Sequence, residues 1–124
     1  MKTMTLLMWA ASILALVLAL AHLAIAGFLA QRVWELQTLW FLGSGVALLL
    51  GALLNIITLR MAQRDLVVRN CLILGNTLVA GFFMLAVPLL KAPQALVGLV
   101  LYVGLTVGAV LYKPSEYAMP DPSA

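Results

Sequence analysis

The sequence predicts an all-α membrane protein: an antiparallel four-transmembrane-helix bundle with both termini cytoplasmic. Three observations carry this reading. Of the 124 residues 65% are hydrophobic, and only seven Lys/Arg and four Asp/Glu are present. The charged residues divide the chain into four uncharged runs, residues 3–31, 36–59, 70–90 and 92–112, and each has at least the roughly 20 apolar residues that one crossing of a bilayer requires. The Lys and Arg residues also fall unevenly between the two ends of such a bundle. This composition excludes a water-soluble domain, a disordered chain and a secreted disulfide scaffold.

The first helix is expected over about residues 5–31, where Ala and Leu, both strong helix formers, dominate. Lys2 ahead of an apolar stretch that reaches Ala19-Leu20-Ala21 has the outline of a signal peptide. The uncharged run continues ten residues beyond Ala21, which suits a membrane span better than a short cleaved segment. Residues 32–38, with Arg32 and Glu35, read as the first turn, and the second helix is expected over 38–59. The segment from Arg60 to Arg69 is charge-dense, and Asp65 is placed to cap the third helix, expected over 66–90. Pro88 lies in the last turn of that helix, where its missing N–H predicts a local kink. Pro93 suits the first turn of a fourth helix over 93–112, where a missing donor is harmless. Residues 1–114 thus form one four-helix transmembrane domain, and 115–124, with Pro120 and Pro122, form a short flexible C-terminal tail.

Orientation follows from the cations. Lys2, Arg60, Arg64, Arg69 and Lys113 share one side, and Arg32 and Lys91 the other. The richer side is the cytoplasmic one, which predicts a multi-pass protein of the cell membrane with N-in and C-in topology. Trp34 and Trp40 would then lie in the outer interfacial belt, and Trp9 and Tyr112 near the inner one. Arg60, Arg64 and Arg69 are candidates for lipid-phosphate contact, although a role as topology anchors suffices to explain them. The net charge of +3 is no nucleic-acid signature, because no basic patch is interleaved with aromatics. One His and one Cys (Cys71) exclude a multi-histidine or multi-cysteine metal site within one chain, and no cofactor is expected.

In lipid, small residues mark the faces on which helices touch. Helix one carries Ser12, Ala15, Ala19, His22 and Ala26 as a narrow seam; helix two carries Gly43, Ala47, Gly51 and Asn55 at four-residue spacing. Helix three has Thr77 and Gly81 on one face with Asn76 and Ala80 on the next, and helix four has Gly104 and Gly108, with Gly98 on a neighbouring face.

The polar residues within the spans are the candidate site residues, since each is costly in hydrocarbon unless paired. They are His22, Asn55, Asn76, Tyr102 and Thr106. At 1.5 Å per residue, Asn55, Asn76 and Thr106 fall in the inner half of the bilayer, His22 in the outer half and Tyr102 near the middle. They are arranged to form one polar track in which Asn55 and Asn76 face each other. His22 reads either as a titrating or substrate-contacting group or as a neutral imidazole bonded across the seam, and the second is favoured. For the asparagines, interhelical hydrogen bonds that fix packing are the simpler role. Tyr102 at mid-depth implies that its hydroxyl donates inward or that the helix is shifted. Glu35 reads as a solvated turn residue. Its alternatives are an ion pair with Arg32 or, if helix one continued to residue 35, a pairing with His22 at an outer mouth.

No Asp, Glu, Lys or Arg lies in the core of a span, where proton- or ion-coupled transporters usually carry one. Small multidrug exporters are similar in length and helix count but rely on an acid in the first helix, where this chain has alanine, leucine and His22. Fluoride channels are similar in size, and Asn76-Thr77 and Phe82-Phe83 resemble theirs superficially, without the hydroxyl-rich break in the third helix. The Arg- and Glu-rich pattern of the small membrane glutathione enzymes is absent as well. The leading expectation is therefore a small integral-membrane protein with a packing and interaction role, as a homo-oligomer or a subunit of a larger membrane complex, in contact with membrane lipids and not with nucleic acid. The alternatives are a membrane enzyme or binder for a lipophilic small molecule within the bundle and a small oligomeric transporter or channel.

Overall fold

The computed structural model describes residues 2–32, 34–61 and 66–111. Four helices account for nearly all of them: α1 (Lys2–Arg32), α2 (Leu36–Arg60), α3 (Leu66–Leu90) and α4 (Pro93–Leu111). Each is long and apolar enough to cross a membrane. Arg64, Asp65, Tyr112 and Lys113, and with them the expected Asp65 cap and the tail 115–124, lie outside the described residues.

Two boundaries differ from the sequence expectation. α1 extends to Lys2 and α2 begins at Leu36, so the α1–α2 connection is shorter than the 32–38 turn. Gln37 and Thr38 resemble turn residues in composition, yet the first turn of a helix leaves its N–H groups free for water or side chains and accommodates polar residues. Glu35 takes the N-cap position with extended backbone, and its carbonyl accepts the Leu39 N–H at 3.1 Å. α3 stays helical through Pro88. It ends at Lys91, whose φ of 47° is left-handed and whose N–H closes on the Val87 carbonyl at 3.0 Å. This is the single-bond αL ending of a helix, here on a lysine instead of the usual glycine. Pro93 opens α4, where no donor is lost.

α1 packs along α2 and α3 along α4 most closely, while the α2–α3 and α1–α4 seams are slimmer. At one end of the molecule the Arg60 guanidinium lies 6.0 Å from the Trp9 ring centroid. The core is built from small residues with a few large ones set among them. Ala15, Ala19, Leu48, Ala52, Ala80, Phe83, Ala95, Tyr102 and Leu105 form its main cluster. A side chain on Gly98 would fall inside the Phe83 ring, and a Cβ on Gly108 would sit 3.0 Å from Met8 Cγ. These two glycines are the recesses that admit the large side chains of the neighbouring helices. The outer surface is strongly apolar, with Leu89 82% and Trp40 73% exposed, as lipid-facing helices require.

Helix two corrects the small-residue ridge. The face turned to the core carries Gly45, Leu48, Ala52 and Asn55, whereas Gly43 and Ala47 are exposed. Residues four apart advance by about 40° around a helix with 3.6 residues per turn, so a run from 43 to 55 winds off one face onto the next. Helix four divides likewise: Gly98 and Gly108 are buried, and Gly104 is exposed. In helix one the alternation of three and four holds the seam in place, and Ser12, Ala15, Ala19 and Ala26 are buried.

Candidate functional site

Asn55 on α2 and Asn76 on α3 form a closed amide pair. Asn55 Nδ2 donates to Asn76 Oδ1 at 2.7 Å and Asn76 Nδ2 donates to Asn55 Oδ1 at 3.0 Å. The Asn55 amide also donates to the Gly51 carbonyl at 2.8 Å. Both side chains are buried, so the ring satisfies groups that would otherwise face hydrocarbon.

Tyr102 on α4 reaches across the bundle to α2. Its hydroxyl donates to the Leu48 carbonyl at 3.0 Å, and the residue is 0% exposed. Gly51 makes this reach possible, because a Cβ there would lie 2.9 Å from the Tyr102 hydroxyl. Tyr102 thus donates inward, and its hydroxyl and the asparagine pair share Gly51 as a neighbour. Thr106, the fifth polar candidate, donates to the Tyr102 carbonyl one turn back in its own helix at 2.8 Å, and so satisfies itself locally. The expected polar track therefore has a compact centre, Tyr102–Gly51–Asn55–Asn76.

His22 stands apart from it. The half-buried imidazole stacks on Phe41 with centroids 3.8 Å apart and planes inclined by 23°. Its Nε2 lies 2.9 Å from Ser44 Oγ and 3.1 Å from the Phe41 carbonyl oxygen, while the Ser44 hydroxyl donates to that same carbonyl at 2.8 Å. The Ser44 proton is thereby occupied, and the carbonyl has none to give. The carbonyl can only accept, so in the neutral ring Nε2 carries the hydrogen, shared between the two oxygens, and Nδ1 is the unprotonated nitrogen. Ser44 was not among the sequence candidates. The signal for it was available, as a hydroxyl between two glycines on the helix that faces His22.

Glu35 does not meet His22. α1 ends at Arg32, and the carboxylate makes no capping hydrogen bond. In place of the alternative Arg32–Glu35 ion pair, the Arg32 guanidinium lies over the Phe28 ring, 4.7 Å from its centroid. Arg69 holds a position that a topology count does not reveal. Its Nε donates to the Ala109 carbonyl at 3.2 Å and its Nη2 to the Val110 carbonyl at 2.6 Å, both in the last described turn of α4. Among the described residues no three His, Cys, Asp or Glu side chains come together as metal ligands would.

The arrangement fixes helices with a minimum of polar chemistry: one amide pair, one buried phenol, one histidine and one arginine clasp. No family model, no curated protein and no solved structure matches the chain.

Proposed function

We propose that this chain is a small integral-membrane protein with a packing and interaction role, acting as a homo-oligomer or as a subunit of a larger membrane complex. Its four helices cross the cell membrane as an antiparallel bundle with N-in and C-in topology. Five Lys/Arg against two support that orientation. The proximity of Arg60 to Trp9 and the bonds from Arg69 to the end of α4 support the antiparallel order. Membrane lipids are its surroundings, and Arg60, Arg64 and Arg69 would meet lipid phosphates at the cytoplasmic face.

The observation that carries the reading is the set of glycines turned outward. Gly43, Gly81 and Gly104 are exposed within α2, α3 and α4, and a Cβ on any of them would meet nothing within 4 Å. Glycine inside a helix costs about 1 kcal/mol relative to alanine, and lipid gives nothing in return. A second helix does, because bare backbone permits the close approach on which association in membranes depends. Meanwhile the buried polar side chains among the described residues are satisfied within the chain, as a packing role favours.

Counting chains per particle by single-molecule photobleaching, after extraction in native membrane patches, tests the proposal. Assemblies of more than one chain, or stable co-extraction of one partner, are expected, with loss on Gly81→Leu or Gly104→Leu. Single chains at every expression level, with nothing captured by in-cell cross-linking, would refute it.

A further inference from the structure

The His22 imidazole carries an unfilled valence. Nε2 donates to Ser44 and Phe41, and Nδ1 has a lone pair and no hydrogen-bond partner among the described residues. No buried side-chain nitrogen or oxygen among them lacks a partner, so Nδ1 lies on the accessible part of the half-buried ring. The ring itself is held firmly. Phe41 stacks on one face, and its Cδ2 would be 3.1 Å from a Cβ at Gly45, a glycine that leaves room for it. A rigid acceptor of this kind, in a region without water, attracts any neutral donor that partitions into the bilayer.

In the middle of the spans the chain's own hydroxyls and side-chain amides are committed. Between the first two and last two turns of each helix, every hydroxyl and side-chain amide already donates to a partner: Ser12 to Met8, Thr77 to Ile73, and the others as described above. We propose that His22 Nδ1, with the Phe41 ring beside it, is a binding site for a lipid-soluble molecule bearing a hydroxyl on an apolar body. The ligand O–H donates to Nδ1 and its apolar part lies against the exposed apolar side chains of α1 and α2. This site requires no charge within the span.

The chain has one histidine, so side-chain 15N resonances report this ring alone. The full chain, 15N-labelled at histidine and reconstituted at one copy per nanodisc, is titrated with 1-dodecanol and, separately, with dodecyl methyl ether, which has the same apolar body without a donor. A saturable upfield movement of the unprotonated Nδ1 signal with the alcohol, and none with the ether, is the expected result. His22→Phe keeps an aromatic ring between Phe41 and Gly45 and removes both nitrogens; labelling of the α1–α2 region by a diazirine-bearing fatty alcohol should then fall about tenfold, the loss of one hydrogen bond. Equal movement with alcohol and ether, no movement with either, a proton resident on Nδ1 in the unliganded protein, or unchanged labelling of His22→Phe would each overturn the proposal.

Discussion

Asn55 and Asn76 exchange two amide hydrogen bonds across the α2–α3 seam, and neither is accessible from outside the bundle. The seam they close is one of the two slimmer ones, so this pair joins the α1–α2 hairpin to the α3–α4 hairpin. Asn76→Leu keeps the branched shape of the side chain but leaves the Asn55 carbonyl oxygen buried and unbonded. A loss of about 1–3 kcal/mol is expected. In Asn55→Leu combined with Asn76→Leu no orphan remains, and the double variant should lose less than the sum of the two single ones. A double-mutant cycle measured by steric trapping in bicelles should return a favourable coupling of about 1 kcal/mol, in the range of interhelical hydrogen bonds in membranes. Strict additivity would mean that the pair contributes nothing beyond its separate parts.

Much of this fold is legible in the sequence, because in a membrane protein charge marks the ends of elements. Arg60 and Lys91 stand where α2 and α3 stop. The seam of helix one is legible because its spacing alternates between three and four and so follows the true period of a helix. The ridge of helix two was misleading for the opposite reason, since four-residue steps drift around the axis and Gly43 and Asn55 end on different faces. Asn55 and Asn76 are visible as partners because they are polar residues in the same half of two consecutive spans. Ser44 beneath His22, and Arg69 on the carbonyls of α4, are not visible in this way. Their partners lie far along the chain or are backbone atoms, and backbone leaves no mark in a side-chain pattern.

Arg69 is expected to act as a clasp on α4 and not merely as a positive charge. A lysine at this position keeps the charge for topology but lacks the planar fork that places two donors on two successive carbonyls. Arg69→Lys should therefore leave orientation unchanged, as read by cysteine accessibility at the two faces. It should accelerate amide hydrogen exchange in the last turn of α4, with a cost of about 0.5–1.5 kcal/mol. Unchanged exchange in that turn would show that the two bonds do not hold it.

The left-handed Lys91 offers a change of opposite sign. Its backbone at φ 47° is disfavoured for a residue with a Cβ and ordinary for glycine. Lys91→Gly retains the N–H that closes on Val87 and removes the steric cost. A gain of about 0.5–1 kcal/mol is expected in reversible unfolding from mixed micelles. The same change removes one of the two cations from the side proposed as the outer one, so it should strengthen the charge bias behind the proposed orientation. A loss of stability would indicate that the lysine side chain contributes more than its backbone costs.

Gly98 and Phe83 supply the sharpest test of the packing. The ring fills the space in which a Cβ at residue 98 would sit, and both residues are buried between α3 and α4. Gly98→Ala therefore requires the phenyl ring to turn away or the two helices to separate. Because the ring is also 6.1 Å from the Tyr102 ring, centroid to centroid, its displacement would disturb the Tyr102 hydroxyl on Leu48 as well. Overpacking of this kind costs about 1–3 kcal/mol. Phe83→Leu alone leaves a void under Gly98 and also destabilises. Combined, the two changes exchange a large side chain against a small recess for a medium one against a slightly filled recess. The double variant should then recover part of the stability lost in Gly98→Ala, measured by thermal unfolding in one detergent. At Gly104, where a Cβ meets open space, alanine should stabilise the single chain by about 1 kcal/mol, the cost of glycine inside a helix. A loss from Gly104→Ala as large as that from Gly98→Ala would show that the cost does not come from the Phe83 recess.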